Sequence, residues 1–129
     1  MKQFLIAVSL LSLIVTAVVL NTIFVARGIE KSIEEIESIP QPSVEQKEAD
    51  LSIQAELALK AQANWRRRLK FLSLSIHHHD AMQASEHLAS LCGAAQANDP
   101  KAYTQTLSIL KDAFMHIKEL NTPSIWSVL

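Results

Sequence analysis

The chain has 129 residues, a formal net charge of −1 and one cysteine, Cys92. This length allows one small domain and an anchor. The near-zero charge argues against a nucleic-acid or membrane-surface protein that binds through its overall charge, and one cysteine excludes an intrachain disulfide. Glycine is scarce, while Leu, Ala, Ile, Ser, Glu and Lys dominate. This composition favours an all-α protein that is held together by packing.

The strongest signal is an uncharged apolar segment, residues 3–26, between Lys2 and Arg27. About 20 apolar residues cross the roughly 30 Å of bilayer hydrocarbon as a helix. A helix also satisfies its own backbone hydrogen bonds in lipid. We therefore predict a transmembrane anchor over residues 1–26, with membrane lipid as the partner of residues 3–26.

Cleavage and orientation of the anchor have alternatives. A signal peptide has an apolar core of about 7–15 residues and a small-residue cleavage site, whereas this run is longer and a cut after Ala26 puts bulky Phe24 at the third position before it. We predict an uncleaved anchor, with a secreted helical protein as the alternative. Lys2 and the amino terminus oppose Arg27 and Lys31, so the positive-inside rule barely decides. The short N-terminal flank favours a single-pass cell-membrane protein whose C-terminal domain lies outside the cytoplasm.

Residues 27–42 are predicted to form a juxtamembrane helix, in which the membrane helix continues into water, and a proline linker. Their isoleucines, Ile29, Ile33 and Ile36, are spaced by four and three, which is typical of a helix with one apolar face. Prolines at positions 40 and 42 push the preceding residues out of the helical region and end this helix.

A helical domain is predicted over residues 43–129. Its first helix starts at Ser43, which forms a capping box with Gln46, and extends to Ile76. At about 1.5 Å per residue this helix is some 50 Å long, so we expect it to bend or to be directed away from the bilayer by the prolines. Its predicted buried face is Leu51, Ala55, Ala58, Gln62, Trp65, Leu69, Leu72 and Ile76.

Two more helices are predicted, from His78 to about Ala97 and from Pro100 onward. Asp99 is the predicted N-cap of the last helix, with Pro100 as its first residue. The short joint makes these helices antiparallel neighbours. The expected fold is an N-terminal transmembrane helix followed by an antiparallel three-helix bundle. The predicted buried faces are Leu74, His78, Ala81, Ala84, Leu88, Leu91 and Ala95, with Cys92 beside them, and then Tyr103, Leu107, Leu110, Phe114 and Ile117.

One candidate interaction surface is the run Trp65, Arg66, Arg67 and Arg68. Adjacent arginines bind phosphates, and a tryptophan stacks on bases. The preceding chain is acidic, however, and Trp65 falls on the predicted core face. The leading interpretation is pairing of the arginines with those acids within or between chains. An anionic membrane surface or an acidic partner comes next, and no nucleic-acid partner is predicted.

A second candidate interaction surface is the apolar C-terminal tail, which includes Trp126 and Leu129. It follows Pro123, which ends the last helix. Because so apolar a segment is unusual for a loose terminus, we expect it to cover one end of the bundle.

The histidines raise the question of a metal or pH sensor. His77, His78 and His79 are adjacent, whereas ligands that share an ion on one helix are three or four residues apart. His78, Asp80 and His116 are weak metal candidates, but zinc needs three or four ligands. No metal and no cofactor is predicted, with a histidine-based metal or pH-responsive envelope sensor as the alternative. We expect His77 and His79 to face water and His78 to lie on the buried face. A buried His78 must stay neutral, so the domain would lose stability as the pH falls below about 6.5.

No enzyme chemistry is indicated. The sequence contains no glycine-rich phosphate loop, nucleophile elbow or HExxH motif, which are the usual signatures of such sites. Cys92 lies among Leu91, Ala94 and Ala95, an environment typical of an inert core cysteine. We therefore expect a membrane-anchored extracytoplasmic module that acts as an accessory to another protein or by self-association.

Pattern and position across nearly the whole chain resemble an uncharacterised bacterial family, domain of unknown function 4363. The features that carry the resemblance are Trp65, the run 71–76, His78 with Asp80, Leu88, Leu91, the Asp99-led helix with Leu107, Leu110 and Ile117, and residues 124–129. His79 with Asp80 is the competing alignment of the family's histidine. Ala81 and Ala84 depart from the larger aliphatics usual there, and few acids follow the histidine. The resemblance implies a small bacterial envelope protein with an N-terminal membrane helix and a helical remainder, and it implies no known reaction.

Overall fold

The computed structural model describes residues 1–42, 50–72 and 74–121. In these ranges the regular structure consists of four α-helices and no strand, which confirms the all-α prediction. The helices are α1 (Lys2–Glu37), α2 (Ser52–Leu72), α3 (His78–Gln96) and α4 (Pro100–Asn121).

The apolar N-terminal helix continues through residues 27–37, as predicted, but this second half of α1 belongs to the bundle. Helix α1 packs on α2 and α4, and α3 packs on α2 and α4, so the bundle has four helices where the sequence predicted three. Ile29, Ile33 and Ile36 are buried in it. Their spacing places them on one narrow face of α1, and burial of that face against two neighbours draws the segment into the core.

Helix α1 has two halves with different environments. All side chains of residues 1–21 are exposed, although most are large and apolar, and this part is long and apolar enough to cross a membrane. From Val25 onward one face is buried in the bundle. The helix continues through this change without a break, so the apolar segment and the bundle are joined by continuous helix.

The start of α2 differs from the prediction. The capping box of Ser43 and Gln46 lies outside the described residues. Asp50 and Leu51 are not helical, and α2 begins at Ser52. The Asp50 carboxylate accepts a hydrogen bond from the Ser52 backbone N–H at 3.0 Å, which satisfies a helix-start amide that has no partner in the helix.

The end of α2 also differs, since the helix stops at Leu72 and not at Ile76. With 21 residues, α2 is about 30 Å long. It returns antiparallel to α1, so that Phe71 meets Phe24 while Asn64 meets Glu35. The expected bend or deflection is therefore wrong, because the shorter helix returns only as far as the end of the anchor. We call this end of the bundle the anchor-side end.

The turn between α2 and α3 changes two predicted core positions. Leu74 is 94% exposed and His78 is exposed, whereas Ile76 is buried. Both errors have one cause. The predicted buried face kept its helical spacing through the turn between α2 and α3, where the chain is not helical and that spacing does not hold. From Ala81 to Ala95 the predicted face of α3 is buried, as is that of α4.

The opposite end of the bundle is closed by a hydrogen-bonded turn between α3 and α4. Asn98 has a left-handed backbone (φ 53°), and the amides of Asn98 and Asp99 bond to the carbonyls of Ala95 and Ala94, the Schellman arrangement of a helix end. The Asn98 side chain also accepts the Leu51 amide at 3.0 Å, which fixes the start of α2. The Asp99 carboxylate accepts the Ala102 amide at 3.1 Å, so the predicted N-cap is confirmed.

Trp65 occupies the centre of the core. Its side chain is 1% exposed, its indole N–H donates to the Ser85 hydroxyl at 3.0 Å, and its ring meets Phe114 edge-on with centroids 4.9 Å apart. One residue of α2 thus connects α3 and α4. The apolar core around it comprises Val25, Ile29, Ile33, Ile36, Ile39, Leu51, Ala58, Ala61, Leu72, Ile76, Ala81, Ala84, Leu88, Leu91, Cys92, Ala95, Tyr103, Leu107, Leu110, Phe114 and Ile117.

Tyr103 is a buried residue with an unusual hydrogen-bonding state and a shifted pKa. Its hydroxyl has no hydrogen-bond partner among the described residues. Burial, with a smaller contribution from the neighbouring Cys92, raises the pKa of Tyr103 to about 12. The phenol therefore stays neutral in the folded state at a pH where an unfolded tyrosine ionises.

The folded domain should lose stability between about pH 10 and pH 12, because the unfolded chain releases a phenolic proton that the folded chain keeps. Tyr103→Phe should reduce this loss by about 2 kcal/mol, and at neutral pH it should leave stability unchanged or raise it by about 1 kcal/mol. Melting of both chains in detergent micelles, followed by circular dichroism across this pH range, measures the difference. Equal alkaline losses in the two chains would contradict the assignment.

Candidate functional site

A groove lies between α1 and α2 at the anchor-side end of the bundle. Its volume is about 590 Å³, within the range of ligand pockets. Positions about one turn apart on each helix face into it. The lining residues are Phe24, Arg27, Gly28, Lys31, Asn64, Arg67, Arg68, Phe71 and Leu72. We call it the basic groove.

The apolar part of the basic groove is at its anchor-side end. The rings of Phe24 and Phe71 meet edge-on there, with centroids 6.5 Å apart. Next to them α1 and α2 come close together at Gly28, where an added Cβ would lie 3.1 Å from Cδ1 of Leu72. Glycine at this position therefore sets how near the two helices approach.

Arg68 forms the polar wall between the groove and the core. Its guanidinium pairs with the Glu35 carboxylate and donates to the Ser32 hydroxyl at 2.9 Å. Ser32 is buried and donates in turn to the Gly28 carbonyl at 3.0 Å. The predicted pairing of the arginine run with the acidic segment is confirmed for Arg68, and the pair joins two helices of one chain.

The remaining cations of the groove keep their charge available. Arg27, Lys31 and Arg67 are exposed, and none has a carboxylate within ion-pair distance among the described residues. Arg67 donates to the side-chain carbonyl of Asn64, a neutral group that orients the guanidinium without neutralising it. The groove therefore has a net positive charge above an apolar end.

The predicted interaction residues have different positions. Trp65 is in the core, so its assignment to an interaction surface is wrong: the same spacing that places it on the buried face of α2 removes it from contact with a partner. Arg66 is exposed but lies on the α3 side, close enough for its charge to act on Cys92. Trp126 and Leu129 lie outside the described residues.

The histidine run is mainly surface. The Nδ1 atom of His77 accepts the backbone N–H of His79 at 3.3 Å, so His77 is the N-cap of α3. His77 and His79 are exposed, as predicted, but so is His78, and the expected buried imidazole is wrong. The loss of stability predicted below about pH 6.5 depended on that burial, so it is no longer expected.

Of the weak metal candidates, the structure brings together Asp80 and His116. Nε2 of His116 lies 4.0 Å from the Asp80 carboxylate, which links α3 to α4. Two ligands are fewer than zinc requires. Within the described ranges, no group of three or more His, Cys, Asp or Glu side chains is placed to hold a metal ion.

Cys92 is a core residue, as predicted. It is buried, and its thiol lies 3.8 Å from the Gln62 side-chain carbonyl, to which it donates a weak hydrogen bond. Burial raises the pKa of the thiol, although the charge of Arg66 acts in the opposite direction. A neutral thiol is a poor nucleophile.

Comparison of the chain with family models, curated proteins and solved structures gives no significant match. The resemblance to the domain of unknown function 4363 family therefore stays a prediction.

Sequence reasoning missed the α1 side of the basic groove. The signal was present, since Phe24, Arg27 and Lys31 are spaced by three and four residues, and Arg67 and Phe71 are four residues apart. These sets become one site only when the second half of α1 packs antiparallel to α2. The prediction placed residues 27–42 outside the bundle, so it did not bring these two sets together.

The two glycines of the chain give a matched test of the close approach of α1 and α2. Gly28→Val should lower the free energy of unfolding by about 1–3 kcal/mol, because its methyl groups press on Leu72. Gly93→Ala should raise it by about 0.5–1 kcal/mol, because helical glycine is unfavourable and an added Cβ there meets nothing within 4 Å. Thermal melting of the full chain in micelles checks both signs, and stabilisation by both substitutions would disprove the steric limit at Gly28.

Proposed function

We propose that this chain is a single-pass membrane protein whose helical domain lies against the outer surface of the cell membrane. It acts there by contact with other proteins, as an accessory subunit or by self-association. The observation that carries the proposal is the continuity of α1, which is exposed and apolar over residues 1–21 and buried on one face from Val25 onward.

The continuity of α1 supports a role in positioning. A domain on a flexible linker samples many orientations, whereas here the helix that supplies the anchor also supplies one side of the bundle. The height of the domain above the bilayer and its orientation relative to the anchor are therefore restricted. A partner that also contacts the anchor would meet the same face of the domain at each encounter, which reduces the entropic cost of binding.

The outward face of α1 offers the polar surface that best fits such a partner. Glu30, Glu34 and Glu37 are exposed and spaced by four and three, so they form one line along the helix. Among the described residues none of them has an ion-pair partner. This acidic stripe fits a basic face on a neighbouring protein or on a second copy, and complementary charge of this kind speeds encounter and fixes register.

A photo-crosslinking residue at Glu34 should capture a discrete protein in intact cells, whereas the same residue at Lys101, exposed near the far end of the bundle, should not. A product of twice the chain's mass would mean self-association, and a product of another mass would mean an accessory role. Reversal of charge at Glu30 and Glu37 should weaken the capture, because the remaining contact would then be repulsive. Equal capture at both positions, or capture of no protein, would count against the acidic stripe.

Orientation and cleavage can be measured on the same chain because its native cysteine is buried. In intact cells a membrane-impermeant maleimide should label Ala63→Cys on the exposed face of α2. It should not label Lys2→Cys or the parent chain. Intact-mass measurement should give the full-length polypeptide. Labelling of Lys2→Cys alone would place the domain in the cytoplasm, and a mass lacking the anchor would identify a secreted helical protein.

A further inference from the structure

The anchor-side end of the bundle lies at the level of the lipid boundary if residues 3–22 span the bilayer. Twenty residues at about 1.5 Å each match the roughly 30 Å of hydrocarbon. The Asn21 side-chain amide donates to the Ser75 hydroxyl at 2.8 Å, so the turn after α2 lies beside residue 21. Arg27 is six residues further on, about 9 Å above that level.

Large apolar side chains are exposed at this same end. Phe24 is 53% exposed, Phe71 66%, Leu74 94% and Leu120 61%. They come from α1, α2, the turn and the last part of α4, which the antiparallel topology brings to one end. Apolar side chains gathered on one side of a domain indicate contact with lipid or protein, and beside a membrane helix the lipid interface is the nearest apolar phase.

The basic groove repeats the polarity of a phospholipid along its length. On α1 the order away from the anchor is Phe24, Arg27, Lys31. On α2, which runs in the opposite direction, the same levels are occupied by Phe71 and then Arg67. Aromatic side chains therefore lie where acyl chains begin, and unpaired cations lie one to two turns above, where phosphates lie. Guanidinium groups bind phosphate oxygens in pairs of charge-assisted hydrogen bonds.

The nearest carboxylates leave the groove positive. Glu35 is held by Arg68. Glu34 and Glu35 border, with Ser38, a shallow depression that shares Lys31 and Arg68 with the groove and lies on the side away from the anchor. An anion entering from the membrane meets Arg27 and Arg67 before either carboxylate.

We propose that the basic groove binds one anionic phospholipid of the membrane that holds the anchor, with Arg27, Lys31 and Arg67 on its phosphate and Phe24 and Phe71 against the start of its acyl chains. This proposal rests on the membrane span proposed above. A soluble phosphate would satisfy the cations but would leave the aromatic end of the groove uncovered, so the lipid is the occupant that matches both parts.

The test uses the full chain in nanodiscs of equal phosphatidylglycerol and phosphatidylcholine. Native mass spectrometry of the released protein should find one phosphatidylglycerol retained in preference to phosphatidylcholine. Arg27→Gln, Lys31→Gln and Arg67→Gln together should reduce that preference about tenfold. Lys60→Gln, Arg66→Gln and Lys101→Gln change the net charge equally at exposed positions outside the groove and should leave it unchanged. Because the three groove cations are exposed, we expect all chains to keep the same melting curve, and the single variants Arg27→Gln and Arg67→Gln provide the same comparison if the triple variant does not.

Several outcomes would overturn the proposal. Equal retention of the two lipids by the parent chain would do so, as would equal loss of preference in both triple variants, which would mean bulk charge attraction. Displacement of the lipid by millimolar inorganic phosphate would identify a soluble anion site. If a chain that lacks residues 122–129 retained the lipid and the full chain did not, that tail would be the occupant of the groove. Release of the full-length chain from vesicles by alkaline carbonate would disprove the membrane span itself, whereas a chain that stays in the bilayer without lipid preference would disprove the lipid site alone.

Discussion

The unbroken course of α1 is the constraint on which the other features depend. A helix that is apolar on all sides suits lipid, and a helix that is apolar on one side suits a bundle. Here the first type passes into the second within one turn, near Val25. Since the backbone hydrogen bonds continue through that point, the bundle cannot turn away from the anchor without breaking the helix. The close contact of Gly28 with Leu72 lets α2 approach as soon as α1 leaves the apolar segment, which brings the end of α2 beside the end of that segment.

The core is built from small residues at the helix contacts and a few large rings between them. Ala58 and Ala84 are fully buried and allow α2 and α3 to approach closely. The space nearer the centre is then filled by Trp65 and Phe114. Because the indole N–H reaches Ser85, Trp65 adds no unsatisfied polar group to the interior. Tyr103 lacks such a partner among the described residues, so its hydroxyl is a local source of instability in an otherwise apolar core.

Local signals gave correct predictions where one element decides the outcome. The apolar run of residues 3–26, the Asp99 cap and the buried face of α4 depend on residues close together in sequence, and the structure agrees with the helix, the cap and the burial that they predicted. The errors arose where two elements must be compared. The burial of Ile33 depends on α2 and α4, and the exposure of Leu74 and His78 depends on where α2 ends. A capping residue for α3, His77, was visible in the sequence, but histidine is not among the preferred N-caps.

The candidate site followed the same pattern. Pairing of Arg68 with an acid was predictable from charge alone, whereas its partner Glu35 lies 33 residues away and is fixed only by the register of two antiparallel helices. That register also places two kinds of charged surface side by side on α1. The acidic stripe borders the basic groove, since Glu34 and Lys31 line one shallow depression, and both surfaces lie within a few turns of the apolar segment. An anionic bilayer would attract the groove and repel the stripe. Arg27 is nearer to the apolar segment than any glutamate of the stripe, so a cation is the first charge of α1 beyond that segment, and the stripe lies further out, where a protein partner can reach it.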